Sequence, residues 1–103
     1  MPKFVFAYHG GKKPESEAEG QQMMAAWQSW METHKDAMVD PGNPVGMSKT
    51  VTGSGVVDNG GSNPLSGYTL VNAPDMETAI DIAKGCPFVD HDGSIEVVEA
   101  IEM

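Results

Sequence analysis

The stretch of residues 67–88, GYTLVNAPDMETAIDIAKGCPF, constrains the fold most, because it spells a strand, a capped helix and a helix stop in one run. Residues 68–73 carry β-branched and aromatic side chains on both alternating faces, which is typical of a strand covered on both sides. Asp75 then stands in an N-cap position, where its carboxylate can accept from amides of the first helical turn. The sequence therefore predicts a strand followed directly by a helix.

The helix predicted after this strand has four apolar residues on one side. Met76, Ala79, Ile80 and Ala83 recur with the spacing of a single helical stripe. Pro87 then prevents the helix from continuing. Because a helix of about three turns is marginally stable alone, its stripe must pack on the sheet to which the strand belongs.

A second strand and helix are predicted at the start of the chain. In residues 3–9 both alternating faces are largely apolar, which is typical of a central strand. Ser16 and Glu19 have the spacing of a capping box, and the helix that they begin runs to Thr33. The residues on its apolar stripe are Met23, Trp27, Trp30 and His34.

The middle of the chain is polar and rich in glycine. We expect residues 46–52 to form a polar strand at a sheet edge, where polar side chains resist further pairing. Residues 53–66 are expected to be a long hairpin arm or a mobile loop, with a tight turn at Asn59 and Gly60. A final strand is predicted over residues 94–103.

The predicted order of elements is β, α, β, β, α, β in a single domain, residues 1–103. Two crossover units of this kind give a ferredoxin-like α+β fold, a four-stranded antiparallel sheet with both helices on one face. We expect the first and last strands in the middle of the sheet. The strands are apolar on both faces, and soluble monomers rarely expose such a patch. The sequence therefore predicts a homodimer through the open sheet face, with Val5 and Val71 facing the partner.

The composition excludes several classes of partner. The formal charge of −9, from 15 acidic and 6 basic residues, repels nucleic acid and anionic membrane surfaces. No apolar run approaches the roughly 20 residues that span a bilayer. The single cysteine cannot form an intramolecular disulfide, and no signal-peptide pattern opens the sequence. We therefore expect a cytoplasmic protein with neither nucleic-acid nor membrane partners.

We expect neither a cofactor nor a metal. A chain of this length can build one core, but not also a large buried cofactor cavity. The three histidines lack paired spacing, and the turn at residues 90–93 lacks the later acidic ligand of a calcium loop. Cys86 precedes Pro87 and has no cation beside it in sequence, which indicates a small buried filler rather than a nucleophile.

Several segments point together to one known family, and they cover nearly the whole chain. They are the run 67–88, the Gly93 and SIEVVE that follow it, and the connection WQSWMETHKDAMVDPGNP. The chain thereby resembles the YCII-related (DGPF) family of small dimeric α+β barrel proteins. The resemblance implies a ferredoxin-like protomer, a face-to-face sheet dimer, and a cleft between the helix layer and the barrel mouth. It implies no settled reaction.

Two features depart from the family pattern. Asp58 is followed by Asn-Gly, where the Asp-Gly-Pro-Phe signature would continue with Gly-Pro-Phe. The catalytic histidine proposed for some members would fall near Met23 or Met24 on the first helix. The resemblance therefore transfers no catalytic dyad to this chain, and His34 matches no catalytic position of the family.

His34 and Asp40 are the predicted catalytic pair, which would handle protons. An imidazole can serve as a general acid or base near neutral pH, and a carboxylate can orient it. A histidine in the last turn of a helix is also explained by the helix dipole alone. Both interpretations remain open at this stage.

Ligand binding is predicted for Tyr8, His9, Trp27 and Trp30. The two indole rings offer flat apolar walls and N–H donors for a ring-shaped or acyl ligand. His9 stands at a strand end, where barrel-mouth sites form. The alternatives are plain core for the two tryptophans and a solvated strand-end histidine for His9.

Two functions follow as hypotheses. The first is a small-molecule-binding or accessory module with a cleft near the first helix, which the missing helix histidine of the family favours. The second is a small-molecule enzyme of isomerase, lyase or hydrolase type, with His34 and Asp40 as acid and base. The main support for the enzyme is analogy of fold.

Overall fold

The computed structural model describes residues 1–102, and the four strands of its main sheet and its two helices follow the predicted β, α, β, β, α, β order, with a separate two-stranded hairpin between the second and third of these strands. In chain order they are β1 (Lys3–Gly10), α1 (Glu17–Thr33), β2 (Met38–Asp40), β3 (Thr50–Thr52), β4 (Gly55–Val57), β5 (Leu65–Asn72), α2 (Met76–Lys84), a 3₁₀ helix (Pro87–Asp90) and β6 (Gly93–Ala100). The final strand predicted over 94–103 is β6, and Met103 lies outside the described residues.

Both helices begin at their predicted caps. The Ser16 hydroxyl accepts from the Glu19 amide at 3.1 Å, and the Asp75 carboxylate accepts from the Thr78 amide at 2.8 Å. The bond from Thr78 lowers the pKa of the Asp75 carboxyl, because it stabilises the charged form. These local signals therefore place both helices correctly.

The sheet has four antiparallel strands in the order β2, β5, β1, β6, as the ferredoxin-like prediction requires. The expectation that the last strand lies in the middle is wrong, because β6 is an edge strand. The two strands joined through each helix are not neighbours in the sheet. β5 lies between β1 and β2, which α1 connects, and β1 lies between β5 and β6, which α2 connects. The strands that open the two units are therefore central, and the strands that close them are edges.

The second edge strand is not the predicted segment 46–52. The chain reaches the sheet immediately after α1, where Met38–Asp40 pairs with Leu70 and Val71 of β5. Thr50–Thr52 instead pairs with Gly55–Val57 in a separate hairpin.

The predicted turn of this hairpin at Asn59 and Gly60 is also wrong. The loop between β3 and β4 is formed by Gly53 and Ser54. Asn59 lies at the other end of the hairpin, where its backbone carbonyl accepts a hydrogen bond from the Thr50 hydroxyl at 2.7 Å. The Asn59 side chain accepts from the Gly61 amide at 2.9 Å.

The core lies between one sheet face and the two helices. Phe4, Phe6 and Tyr8 alternate along β1 and are buried, with Trp30 of α1 packed on them. Val71 was predicted to face a partner subunit, and this is wrong. It pairs with Phe4 across β1 and β5, shares that side of the sheet, and has no exposed surface.

The opposite sheet face is partly exposed. Val5 pairs with Leu70 on one side and with Val98 on the other, so the three side chains form one apolar row. Val5 and Leu70 are half-buried and Val98 is exposed. The protomer thus has one helix-covered face and one open face, and homodimerisation through the open face stays a prediction.

Gly42 fixes the connection after β2. Its φ is 76°, its amide donates to the Asp40 carboxylate at 2.8 Å, and a Cβ at this position would collide with the Tyr68 carbonyl oxygen. We expect Gly42→Ala to lower the free energy of unfolding by about 2 kcal/mol or more, measured by urea denaturation. Gly46→Ala is the control, because a Cβ there meets nothing within 4 Å. Equal losses in both variants would contradict the expectation.

Candidate functional site

An aromatic cluster lies between the end of β1 and the helix layer. The Tyr8 ring is 5.1 Å from the Phe88 ring and 5.6 Å from the Trp27 ring, centroid to centroid. Trp27 meets Trp30 edge to face at 5.7 Å. Three of the four predicted ligand-binding residues, Tyr8, Trp27 and Trp30, therefore come together, and Phe88 is a fourth member that the sequence reasoning missed.

Two glycines make room for Phe88. A Cβ at Gly11 would lie 2.7 Å from the Phe88 ring, and a Cβ at Gly93 would also collide with it. Phe88 belongs to the 3₁₀ helix, whereas the sequence predicted only a helix stop at Pro87 and a polar turn at residues 90–93. The sequence signal that was available is the Pro87-Phe88 pair with Gly93 five residues after the ring, whereas the contact with Gly11 depends on the fold.

A buried chain of hydrogen bonds runs from Tyr8 to the connection after β2. The Thr69 hydroxyl donates to the Pro41 carbonyl at 2.9 Å, so it accepts from the Tyr8 hydroxyl at 2.6 Å. Burial raises the pKa of the Tyr8 phenol far above its ordinary value, because the charged form would be desolvated. Tyr8 is therefore a neutral donor that fixes the core, and it does not exchange protons near neutral pH.

Trp30 is also tied to the core. Its indole N–H donates to the Ile82 carbonyl at 2.9 Å, and the residue is buried. The donor is therefore not free for a ligand. Trp27 is half-buried and faces the edge of the cluster, so of the two tryptophans it is the one nearer to solvent.

The structure does not join His34 to Asp40. His34 caps the end of α1 and packs against Trp30, with ring centroids 6.0 Å apart. The Asp40 carboxylate accepts from the Gly42 amide in a tight turn. The hydrogen bonds of residues 1–102 include none between the two side chains. Catalysis by this pair stays a prediction.

His9 lies on the other side of the sheet, away from the tryptophans. Its Nδ1 is 3.1 Å from the Asn63 carbonyl and 3.2 Å from the Pro64 carbonyl, and its Nε2 is 3.2 Å from the Glu96 carboxylate. Glu96 was not among the predicted residues, because only the register of β1 against β6 brings it near. This histidine and carboxylate are in contact, but on the open face.

Two surface grooves flank the helices. The α1/β2 groove has a volume of about 410 Å³ and is lined by Gln28, Met31, Glu32, Lys35, Met38 and Pro41. The α2/β6 groove has a volume of about 380 Å³ and is lined by Met76, Ile80, Ala83, Lys84, Val89, Ile95 and Val97. Both grooves are shallow depressions beside a helix rather than enclosed cavities.

The family model of the YCII-related domain matches residues 4–103. The chain belongs to the YCII-related family. The resemblance inferred from the sequence is thereby confirmed. No curated protein matches this YCII-related chain, and no helix within residues 1–102 is long and apolar enough to cross a membrane.

A solved structure similar to this YCII-related protein is 5-chloro-2-hydroxyhydroquinone dehydrochlorinase (TftG) from Burkholderia phenoliruptrix AC1100, in complex with 2,5-dihydroxybenzoquinone. The TM-score is 0.57 and the sequence identity is 15%. The similarity covers 100% of this chain and 96% of the TftG chain. The likeness confirms the α+β fold over the full length, and at this identity it shows the fold alone.

Cys86 gives the YCII-related domain an alkaline dependence of stability. Burial raises the pKa of its thiol from the ordinary 9.0 to about 11. Between these two pKa values the Cys86 thiol stays protonated in the folded protein but is ionised in the unfolded chain. Its contribution to the free energy of unfolding is therefore fully present below about pH 9 and is lost as the pH rises toward 11.

We expect the free energy of unfolding to fall by about 1 kcal/mol more between about pH 8 and 10 in the wild type than in Cys86→Ala. The free energy of unfolding is measured by urea denaturation at several pH values in this range. For each protein, the change of this free energy with pH is compared, rather than its value at one pH. Parallel pH profiles for the two proteins would show that Cys86 is not the titrating group.

Proposed function

We propose that this YCII-related protein is a homodimeric module that binds a small molecule in the α1/β2 groove. The observation that carries the proposal is the groove itself. It is an open depression of about 410 Å³, which gives a small ring-shaped ligand room to lie against its floor. It also runs beside the first helix, where the sequence predicts a cleft, but its lining contains none of the predicted catalytic or ligand-binding residues.

The lining of the groove suits a flat, mostly apolar ligand. Met31 and Met38 are half-buried, and their flexible, polarisable side chains adapt to different ring shapes. Gln28 and Lys35 stand exposed at the rim, where an amide and an ammonium can orient a polar substituent. Lys35 is 3.4 Å from Glu32, an exposed ion pair that a ligand oxygen can replace at little cost.

The aromatic cluster supports one side of the groove. Pro41 lines the groove, and its carbonyl closes the hydrogen-bond chain from Thr69 and Tyr8. Trp27 precedes Met31 by one helical turn, so their side chains lie on the same side of α1. The aromatic cluster is therefore connected to the groove through Pro41 and Met31, although its rings do not line the groove.

The ligand class follows from this chemistry. An apolar floor with one cation at the rim suits a small planar ring that carries an acidic hydroxyl or carboxylate. TftG is a protein of the same fold that holds such a compound, 2,5-dihydroxybenzoquinone. That compound is the first probe for this chain.

The contacts of the catalytic candidates favour binding over catalysis. Asp40 is occupied by the Gly42 amide, and His34 packs on Trp30, so no carboxylate orients the imidazole within residues 1–102. The enzyme hypothesis retains the support that TftG is a dehydrochlorinase. It requires turnover that His34→Ala lowers by roughly 10²-fold, whereas a binding module shows none. The cytoplasmic location stays a prediction.

The homodimer is supported by the open sheet face. Val5, Leu70 and Val98 form an apolar row there, and the helices of the same protomer cover the other face. The Glu96 carboxylate at this face lies 3.2 Å from the His9 Nε2, so it has a hydrogen-bond partner within the protomer. A second copy packed sheet to sheet is the simplest cover for such a surface.

We expect Val5→Asp to convert a dimer into a monomer, because the carboxylate would be buried without a partner at the centre of the interface. Sedimentation equilibrium measures the change. Met24→Asp is the matched control, since Met24 is a more exposed apolar residue on α1. A wild-type protein that is monomeric at micromolar concentration would contradict the proposed dimer.

We expect 2,5-dihydroxybenzoquinone to bind saturably in isothermal titration calorimetry. Met38→Glu should weaken binding by about 10-fold or more, because it adds a carboxylate to the apolar lining of the groove and repels an anionic ring. Met24→Glu adds the same charge outside the groove and should leave the affinity within about twofold. Equal affinities for the wild type and Met38→Glu would place the ligand elsewhere.

A further inference from the structure

The β3–β4 hairpin is not supported by its own protomer. Every residue from 46 to 65 is exposed. Val51 and Val56 stand opposite each other on one hairpin face, and their exposed fractions are 76% and 62%. A two-stranded hairpin alone in water is marginally stable. The hairpin, here called the arm (residues 46–62), therefore presents an apolar surface that needs a cover.

The base of the arm is nevertheless fixed to the sheet. The Val45 amide donates to the Ser66 carbonyl at 3.0 Å, and Pro44 forms a β-bridge with Gly67. His9 contacts the carbonyl groups of residues 63 and 64, just after the arm. The anchored base therefore limits the directions in which the arm can leave the domain.

The overall shape agrees with an arm that reaches beyond the domain. The radius of gyration is 14.9 Å, whereas a compact chain of this length has about 13 Å. The principal extents of 44, 40 and 18 Å describe a flat molecule. A chain that buried all its apolar surface internally would be smaller and rounder.

The charge of the arm favours a second copy of this chain as the partner. Two copies with a formal charge of −9 each repel one another wherever acidic surfaces meet. The arm carries one Lys49 and one Asp58, paired at 3.0 Å, so it has no net charge. It can approach another copy without the repulsion that the acidic helices would cause.

The α2/β6 groove offers the matching surface. Met76, Ile80 and Val89 are exposed apolar residues of its lining, and the one charged residue of the lining is Lys84. The apolar lining can therefore cover the exposed valines of the arm, and Lys84 adds no negative charge that would repel an acidic second copy. The groove also borders β6, an edge strand whose outer backbone groups can pair with another strand.

The topology separates the arm from the groove of its own protomer. The arm connects β2 to β5 on one side of the sheet, whereas β6 is the edge strand on the opposite side. In a two-fold dimer, the β2 edge of one copy can face the β6 edge of the other, and the contact forms twice. We infer that the arm of each protomer docks in the α2/β6 groove of its partner, with Val51 and Val56 as the inserted pair. This inference rests on the proposed homodimer.

Disulfide trapping tests the contact directly, because the native Cys86 is buried and new cysteines are the accessible thiols. Val51→Cys and Ile80→Cys are purified separately, mixed and oxidised. We expect a disulfide-linked heterodimer at a yield about 10-fold above that from Val51→Cys mixed with Met24→Cys, whose cysteine lies on α1. Linked Val51→Cys homodimers without the heterodimer would mean that arms meet arms, and would overturn the inference.

Sedimentation equilibrium separates failure of this contact from failure of the dimer. Val51→Ser with Val56→Ser should raise the dimer dissociation constant by about 10-fold or more, since each buried valine contributes through its apolar area. Thr52→Ser, on the other hairpin face, is the control, and circular dichroism checks the fold. An unchanged dissociation constant overturns arm docking and leaves the dimer standing. A monomeric wild type overturns both.

Discussion

The central position of β1 is the constraint on which the rest of the structure depends. Its alternating side chains divide the protein into two sides, with Phe4, Phe6 and Tyr8 buried under the helices. Tyr8 gathers Trp27 and Phe88 around it at the end of the strand. The intervening residues of the same strand form the open face. One strand therefore determines both the aromatic cluster and the surface offered to a partner.

The helix side is rigid because its polar groups bond one another. Tyr8 donates to Thr69, and Trp30 donates to a backbone carbonyl of α2. Within residues 1–102, no buried side-chain nitrogen or oxygen lacks a partner. Such a network fixes the core, because it holds the Tyr8 hydroxyl and the Trp30 indole N–H in bonds within the protein. The proposed binding in the α1/β2 groove therefore depends on the groups at the rim of the groove.

The sequence predicts the parts of this fold that depend on neighbours along the chain. The capping residues Ser16 and Asp75 place both helices, because an N-cap acts within one turn. The three-residue strand at Met38 has no such local signal, and it exists because β5 offers an edge beside the end of α1. Alternation could not assign Val71 to a side, since both faces of its strand are apolar and only the register with β1 decides.

The candidate site was predictable to a similar extent. Helical spacing brings Trp27 and Trp30 together from the sequence alone. The contact of His9 with Glu96 depends on the pairing of two strands at opposite ends of the chain, and the turn that occupies Asp40 depends on the positive φ of Gly42. Long-range pairing and backbone geometry thus decide which charged side chains are available. In a protein of net charge −9 these local arrangements matter more than the total, because salt screens charges beyond about 10 Å. The charges of Lys35 and Lys84, which line the two grooves, therefore act mainly on groups in direct contact with them.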